Sequence, residues 1–276
     1  MLTNSKKILL DAKNNKYALP APDYIDLDSA RVFVDVAEKL HKPMILSFAE
    51  AFKESFPLEE AAMIGKYMGE KVTTPVILHL DHGTDIDFIE KSIALGFTSV
   101  MIDASMDSFD ENVRKTKVVV EMAKKQNITV EAEIGHVGQG GNYQTYDKSD
   151  NVYTNVAEAQ EFVQLTGIDS LAVSIGTAHG IYKGLKKPIL NFDRLHELST
   201  CLSVPLVLHG GSGSGDDNLA RCAKEGISKI NIFTDFLIGA MDAVRTTSPS
   251  DYTGLKQAAN TGMAKVLEHY YSILSN

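Results

Sequence analysis

The sequence predicts a single (β/α)8 TIM barrel with extra C-terminal helices, and three observations lead to this fold class. Eight short apolar, β-rich runs recur along the chain, with helical patterns between them. Three of those helical patterns end in a glycine that directly precedes a strand. The length of 276 residues suits one barrel with terminal helices. Regular alternation of strand and helix is typical of this barrel, with a doubly wound parallel sheet as the alternative.

The predicted strands are short and nearly uniformly apolar, as strands of a buried parallel sheet are. They are residues 17–21, 44–48, 76–79, 99–102, 129–133, 170–173, 206–209 and 229–231. Glycine after a helix adopts the left-handed conformation at low cost, and Gly96, Gly167 and Gly226 occupy this position. The longest break, the polar and glycine-rich stretch 135–155, is expected to form a mobile active-site loop. We therefore expect one domain over residues 1–276.

The helices are predicted from apolar residues spaced three and four apart. Leu58, Ala61, Ala62, Gly65 and Met68 fall on one helical face. A second helix is expected to start after an N-cap at position 155 and to end near position 167. The chain closes with a helical pattern in which apolar residues from 255 to 270 are roughly in phase.

The composition excludes several classes of function. Hydrophobic residues make up 44% of the chain, charged residues 23%, and the net charge is −9. Nucleic acids and anionic membranes are held mainly by basic surfaces, so neither is an expected partner. The N-terminal residues lack the apolar stretch of a secretory signal, which favours a cytoplasmic location. Cys201 and Cys222 are too few for a disulfide scaffold and are expected to be reduced.

Polar residues and glycines crowd the carboxyl ends of the predicted strands. These ends converge on one face of a TIM barrel, where active sites of this fold lie. The residues that stand there are His79, Asp81, His82, Asp103, Glu131, Glu133, His179, Gly180, His209, Gly210, Gly211, Ser212, Asn231 and Thr234. This clustering predicts an active site at the converging strand ends.

Three histidines from three strand ends, His82, His179 and His209, each precede a glycine. Neutral imidazoles suit zinc, and three protein ligands leave an open position for substrate. Alternatively, each histidine is a hydrogen-bonded residue of a polar strand end. Alternation along its strand directs His79 toward the barrel interior, in a structural or ligand-orienting role. The remaining histidines are expected to be ordinary surface or loop residues; they are His41, His136, His196 and His269.

Carboxylates accompany these histidines. Asp81, next to His82, can act as a general acid or base, or can orient a histidine. Asp103 and Glu133 are candidate alternate metal ligands, or they satisfy backbone and lysine groups at the barrel mouth.

The segment 210–213 (GGSG) predicts a phosphate site. Its glycines let backbone N–H groups approach an anion, and a helix N-terminus follows. Asn231 and Thr234 follow the next strand, and the loops after strands seven and eight are the usual phosphate position in this barrel. The alternative is an ordinary tight loop between strand and helix.

At these residues the chain resembles the class II, zinc-dependent ketose-bisphosphate aldolases, which act on fructose or tagatose bisphosphate. Six motifs in family order carry the resemblance. They are VILHLDHG (76–83), MIDAS (101–105), VEAEIG (130–135), GTAHG (176–180) with Tyr182 and Lys183, PLVLHGGSG (205–213) and INIFT (230–234).

The resemblance implies a role for each matching residue. His82, His179 and His209 would bind the catalytic Zn²⁺, and Asp103 and Glu133 would hold it in an alternate, buried position. Asp81 would exchange a proton with the C4 hydroxyl of the ketose. The 1-phosphate would be bound by Gly180, Lys183, Gly210, Gly211, Ser212, Asn231 and Thr234, with a monovalent cation, Na⁺ or K⁺, nearby. Family members are usually homodimers or homotetramers of carbohydrate metabolism, including glycolysis.

The chain departs from the family pattern at one side of the site. The first strand ends in 20–23 (PAPD) where the family has Phe-Asn, and Ala49 stands where a serine is common. The loop after Glu133 has no acid until Asp147, so Tyr143 or Asp147 is a candidate substitute for the family's loop acid. No arginine matches the family's second-phosphate residue in 248–256.

We therefore expect aldol chemistry on a ketose 1-phosphate whose distal end differs from the usual bisphosphate. A metal-dependent sugar-phosphate isomerase or epimerase, and a non-catalytic sugar-phosphate binding protein, are the alternatives.

Overall fold

A computed structural model describes residues 1–135, 138–139, 153–180 and 187–275. For Gly138, Gln139 and His179 the described part is the backbone only. The predicted 135–155 loop, including Tyr143 and Asp147, lies mostly outside these residues, as does Lys183.

Strands and helices alternate along the described chain. The strands are β1 (Leu19–Pro22), β2 (Met44–Ala49), β3 (Val76–Gly83), β4 (Ser99–Ile102), β5 (Thr129–Ile134), β6 (Gly138–Gln139), β7 (Ser170–Val173), β8 (Ala178–His179), β9 (Leu206–Leu208) and β10 (Ile227–Ile232). The helices are α1 (Lys6–Asn15), α2 (Leu27–Leu40), α3 (Leu58–Glu70), α4 (Ile86–Leu95), α5 (Phe109–Lys124), α6 (Val156–Thr166), α7 (Phe192–Cys201), α8 (Asp216–Glu225), α9 (Thr234–Thr247) and α10 (Tyr252–Leu274), with a short 3-10 helix at Glu50–Phe52.

Eight strands form one parallel sheet that curls into a barrel. Their order is β1-β10-β9-β7-β5-β4-β3-β2, and a bridge between Asp23 and Ser47 joins the β1 and β2 edges. All the pairs are parallel, so their carboxyl ends share one face. The predicted (β/α)8 barrel is therefore confirmed, whereas the single-domain interpretation of residues 1–276 stays a prediction.

The sequence predicts the strands well at their starts and less well at their ends. Two of them, β4 and β7, match the predicted bounds, but β3 continues past 79 to Gly83. A small second sheet of β6 and β8 is not predicted. Gly96, Gly167 and Gly226 have positive φ, as expected for glycines between a helix and a strand.

The barrel strands are buried on both sides, between the interior and the surrounding helices. The predicted apolar face of α3 is confirmed, because all five residues assigned to that face, from Leu58 to Met68, are buried. The predicted N-cap of α6 is also confirmed, since the Asn155 side chain accepts from the N–H groups of Ala157 and Glu158. Both cysteines are unpaired, with Cys201 exposed and Cys222 buried. Among the described helices, none has the length and apolar character needed to cross a bilayer.

The two C-terminal helices pack closely on each other. Leu255 is 42% exposed, so the buried stripe of α10 begins later than the sequence suggests, near Ala258. A Cβ atom added at Gly262 would lie 2.2 Å from the carbonyl oxygen of Gly239 in α9. The absence of a side chain at Gly262 thus lets the two backbones approach, and it fixes α10 against the helix that starts at the barrel mouth.

Replacing Gly262 with Ala should lower the free energy of unfolding by about 1–3 kcal/mol, because the methyl group forces α9 and α10 apart. Urea denaturation followed by circular dichroism measures the change. Thr261→Ala, one position away on the exposed side of α10, is the matched control. Equal stability of Gly262→Ala and the wild-type protein would contradict this account of the helix contact.

Candidate active site

The end of β3 is irregular, and this irregularity sets the direction of two neighbouring side chains. The register with β4 shifts between Leu80 and Gly83, and His82 has a φ of 47°, in the left-handed region. In a regular strand, Asp81 and His82 would point to opposite faces of the sheet. Here both line the same cavity. Backbone strain of this kind is typical of functional positions.

That cavity lies at the carboxyl ends of the barrel strands and has a volume of about 390 Å³. Gly180, Gly210, Ser212 and Thr234 line it after β8, β9 and β10, and Asp23, Ala49, Ala51 and Phe52 line it after β1 and β2. Further lining residues are Asp81, His82, Asn231, Ile232 and Phe233. The strand ends therefore converge as predicted.

Two of the three predicted histidine ligands meet in this site. The rings of His82 and His209 meet edge to face at an interplanar angle of 78°, with His82 Nε2 and His209 Nδ1 2.8 Å apart. On its other side, His82 Nδ1 lies 2.8 Å from Asp103 Oδ2. His209 Nε2 lies 3.0 Å from Glu131 Oε1. Each imidazole is thus held between a carboxylate and the other imidazole.

This arrangement fits a bound cation. Because an ionised carboxylate only accepts hydrogen bonds, the ring nitrogens beside Asp103 and Glu131 carry the protons. The two inner nitrogens, His82 Nε2 and His209 Nδ1, then both present lone pairs. These lone pairs repel each other unless a metal ion or an extra proton is shared between them. A carboxylate behind a histidine that binds metal is a common arrangement of metal sites.

Further donor groups lie around the same point. Asp81, His82 and His209 have potential ligand atoms within 4.8 Å of one another, and so do His82, Asp103 and Glu133. Ser105 holds Asp103 through both its hydroxyl, at 2.7 Å, and its N–H. These groups contain all the predicted metal ligands except His179, whose side chain lies outside the described residues.

The charges of the site favour a positive centre. Burial opposes protonation of His82, but the carboxylates of Asp81 and Asp103 outweigh it and raise its pKa to about 10. Burial likewise opposes ionisation of Asp81, yet the neighbouring rings of His82 and His209 hold its pKa below the ordinary value. Asp81 is therefore a carboxylate at neutral pH.

A buried ion pair lies beneath His209 inside the barrel. Lys229 Nζ is 2.8 Å and 2.9 Å from the two carboxylate oxygens of Glu131, and both side chains are nearly inaccessible. Burial would raise the pKa of Glu131, but the ammonium group of Lys229 keeps it below the ordinary value. Glu131 is thus ionised and holds the proton on His209 Nε2.

His79 points into the interior, as the alternation along β3 predicts. Its Nδ1 lies 2.9 Å from Ser99 Oγ, and its Nε2 lies 3.1 Å from Lys229 Nζ. Burial and then the charge of Lys229 lower the pKa of His79 well below the ordinary value, so the ring is neutral. A neutral Nε2 accepts a hydrogen bond from Lys229, which gives His79 a structural role.

Asn231 contacts Asp81, a contact that the sequence does not predict. Its Nδ2 donates to Asp81 Oδ1 at 2.7 Å, while its own Oδ1 is buried and has no hydrogen-bond partner among the described residues. The amide therefore orients Asp81 and leaves one acceptor at the cavity. Asp23 is a second acid on this cavity and is 8% exposed, and its Oδ1 also has no hydrogen-bond partner within the part of the chain that the structure describes.

The segment after β9 is held against β10 and α9. Ser212 Oγ accepts from the N–H groups of Phe233 at 3.1 Å and Asp235 at 3.3 Å, so its hydroxyl hydrogen can serve another acceptor. Gly210 has a φ of 66°, and a Cβ there would lie 2.6 Å from the Ala178 carbonyl oxygen. The N–H of Gly211 donates to Asn231 O at 3.0 Å, and Gly211 does not line the cavity. Gly210 and Ser212 thus face the cavity, while Gly211 packs against β10.

The sequence profile of the class II fructose-bisphosphate aldolases matches residues 3–276. This chain belongs to that family. The aldolase YdjI from Escherichia coli K12 is 33% identical, with a TM-score of 0.89 over 99% of this chain and 97% of that one. The fructose-bisphosphate aldolase of Campylobacter jejuni, at 23% identity, has the same fold, with a TM-score of 0.82 over 100% of this chain and 97% of that one.

The protein is therefore a class II aldolase, a carbon–carbon lyase of a family that acts on phosphorylated sugars. Lys229 lies outside the predicted set of strand-end residues, and Glu131 belongs to that set but has no predicted role of its own. A signal for Lys229 exists in the sequence, because a lysine in the middle of an apolar, buried strand requires a charged partner. The spacing of Glu131 and Glu133 on one strand offers that partner, since both point to the same side.

Replacing Lys229 with Met should lower the free energy of unfolding by about 3–5 kcal/mol, because the Glu131 carboxylate loses its counter-ion inside the barrel. Thermal or urea denaturation measures the loss. Lys39→Met is the matched control, since Lys39 pairs with Glu268 at the surface and exposed pairs contribute less than about 1 kcal/mol. Similar losses in the two variants would contradict the account of a buried ion pair.

Proposed function

We propose that this class II aldolase uses Zn²⁺ to cleave a ketose 1-phosphate, or a ketose bisphosphate, reversibly to dihydroxyacetone phosphate and an aldehyde. One observation carries the proposal. His82 Nε2 and His209 Nδ1 lie 2.8 Å apart, each imidazole is backed by a carboxylate, and His82 lines the same cavity as the acid Asp81. This donor set suits zinc and leaves room for a substrate.

In this proposal, His82, His179 and His209 hold the zinc, and Asp103 and Glu133 offer an alternate position around His82. The chemistry that the metal supplies when bound is Lewis-acid polarisation of the ketose carbonyl. Asp103 and Glu131 keep the two histidine rings in the tautomer that presents a lone pair to the metal.

Asp81 acts as the general base of the cleavage. Its carboxylate takes the proton of the C4 hydroxyl, C4 becomes the carbonyl carbon of the departing aldehyde, and the C3–C4 bond breaks. The electron pair of that bond stays with the three-carbon half, which takes up a proton at C3 to give dihydroxyacetone phosphate. Asn231 holds Asp81 in position through the 2.7 Å hydrogen bond from its Nδ2.

The 1-phosphate is bound after β8, β9 and β10. Gly180, Gly210, Ser212 and Thr234 support this because they line the cavity there, and α9 begins at Thr234 with the positive end of its dipole. Asn231, which also lines the cavity, and Lys183 are the remaining proposed phosphate contacts, and Gly211 is proposed to support the site by holding residues 210–213 against β10. A monovalent cation, Na⁺ or K⁺, is proposed near the backbone of Gly180 and of residues 210–212.

The distal end of the substrate is proposed to differ from that of a bisphosphate. Among the described residues that line the cavity, none is Lys or Arg, and Asp23 and Ala49 stand at the ends of β1 and β2. The protein is further proposed to be a cytoplasmic homodimer or homotetramer. Exposed apolar residues of α9, Leu237, Ile238 and Met241, support an oligomer.

The proposed cleavage is tested with a panel of ketose 1-phosphates and ketose 1,6-bisphosphates in a coupled assay for dihydroxyacetone phosphate. We expect zinc-dependent formation of the three-carbon phosphate. Asp81→Asn should lower kcat about 10²–10⁴-fold while zinc remains bound, because the amide cannot take the proton. An isomeric sugar phosphate would instead indicate an epimerase, and ligand binding without turnover would indicate a binding protein.

Asp103→Asn should weaken zinc binding about 10–100-fold, because the neutral amide no longer fixes the tautomer of His82. Chelator competition, with zinc content measured by atomic spectroscopy, gives the affinity. Asp107→Asn is the matched control, since Asp107 pairs with Lys115 outside the cavity. Unchanged zinc affinity in Asp103→Asn would argue against a metal at His82.

A further inference from the structure

Asp23 is a buried acid that the proposed chemistry does not use. It follows β1, is 8% exposed and lines the cavity that also contains Asp81. Its Oδ1 is buried and has no hydrogen-bond partner in the described part of the chain. Leaving a buried carboxylate oxygen unsatisfied is costly, so its position at a cavity calls for a group that completes it, such as a water, an ion or a ligand.

The backbone around Asp23 is fixed, so the side chain is held at the cavity. Asp23 pairs with Ser47 of β2, and the N–H of Tyr24 donates to the Ser47 carbonyl oxygen at 2.9 Å. The Tyr24 hydroxyl in turn donates to the carbonyl oxygen of Ala61 at 2.6 Å. The bridge that joins the two edges of the barrel therefore also positions the carboxyl group.

The surroundings of Asp23 do not suit a second phosphate. Its neighbours on the cavity from β2 and the following turn are Ala49, Ala51 and Phe52, and Asp81 supplies a second acid. Among the described residues that line this cavity, none is Lys or Arg. A phosphate beside Asp23 would approach a carboxyl group, and the described cavity lining offers no Lys or Arg side chain to pair with it, an arrangement that disfavours binding.

We propose that Asp23 determines which aldehyde half this enzyme accepts: it hydrogen-bonds a neutral, hydroxyl-bearing distal end and excludes a phosphorylated one. The inference rests on the proposed aldolase function and narrows its substrate class to ketose 1-phosphates without a second phosphate. Burial, and then the charge of Asp81, raise the pKa of Asp23. A hydroxyl group both donates and accepts, so it suits this carboxyl group in either protonation state, whereas the ionised carboxylate repels a phosphate dianion.

The condensation direction tests the inference without assuming a configuration at C4. The wild-type enzyme with zinc is given dihydroxyacetone phosphate and either glyceraldehyde or glyceraldehyde 3-phosphate, which differ by one phosphate group. We expect the wild type to have the higher kcat/KM for glyceraldehyde. In Asp23→Asn, the ratio of the two kcat/KM values should move at least about tenfold toward glyceraldehyde 3-phosphate.

A second variant and a surface control separate specificity from damage to the fold. Asp23→Ala removes the hydrogen bond as well as the acid, so its kcat/KM for glyceraldehyde should fall below that of Asp23→Asn. Asp35→Asn removes an equivalent charge from the exposed side of α2 and should keep the wild-type ratio. Zinc content and circular dichroism of each variant confirm that the site and the fold are intact.

A deuterium-exchange assay distinguishes an error in the role of Asp23 from an error in the proposed function. Exchange of a proton on the hydroxymethyl carbon of dihydroxyacetone phosphate (C3 of the ketose) with D₂O, in the wild type and with no aldehyde present, reports the proposed function alone. Absence of this exchange and of condensation would overturn both. Exchange with a wild-type preference for glyceraldehyde 3-phosphate, or with an unchanged ratio in Asp23→Asn, would overturn the assignment of Asp23 alone.

Discussion

The hydrogen bond between Glu131 and His209 connects the barrel interior to the candidate active site. Glu131 is ionised because Lys229 lies on its other side, and only an ionised carboxylate fixes the proton on the outer nitrogen of His209. The inner nitrogen of His209 then faces His82 as an acceptor. The ion pair of Glu131 and Lys229 inside the barrel thus determines the tautomer of His209, even though neither residue of the pair lines the cavity.

A buried ion pair is weak evidence for stability, since desolvation of the two charges offsets most of their attraction. The pair of Lys229 and Glu131 is better explained by what it orients. An apolar pair of similar volume would fill the barrel interior equally well, but it would leave His209 without a proton acceptor. The same reasoning applies to Asp103, which Ser105 holds and which fixes His82. In each case a polar group that is costly to bury preserves one tautomer of one histidine.

The sequence predicts the barrel because its signals are local: apolar strands, helix-ending glycines and polar strand ends. For the site, the sequence predicts which residues gather at the converging strand ends, but it does not predict how their side chains are oriented. The shared direction of Asp81 and His82 was not predictable, because simple alternation separates neighbours, and the left-handed backbone at His82 depends on packing against β4. The contact of Asn231 with Asp81 joins strands 150 residues apart, and no spacing rule indicates it. Lys229 carries a recognisable signal, a charge inside an apolar strand.

The two sides of the cavity differ in the means by which they can hold a ligand. After β8, β9 and β10 the lining includes glycines and hydroxyl groups next to a helix N-terminus, which suits an anion despite a net charge of −9 for the chain. After β1 and β2 the lining consists of apolar residues and the carboxyl group of Asp23, which does not. A ligand with one phosphate and one neutral, hydroxylated end satisfies both sides in a single orientation. That asymmetry would direct the C4 hydroxyl toward Asp81, since the phosphate and the distal end fix the chain between them.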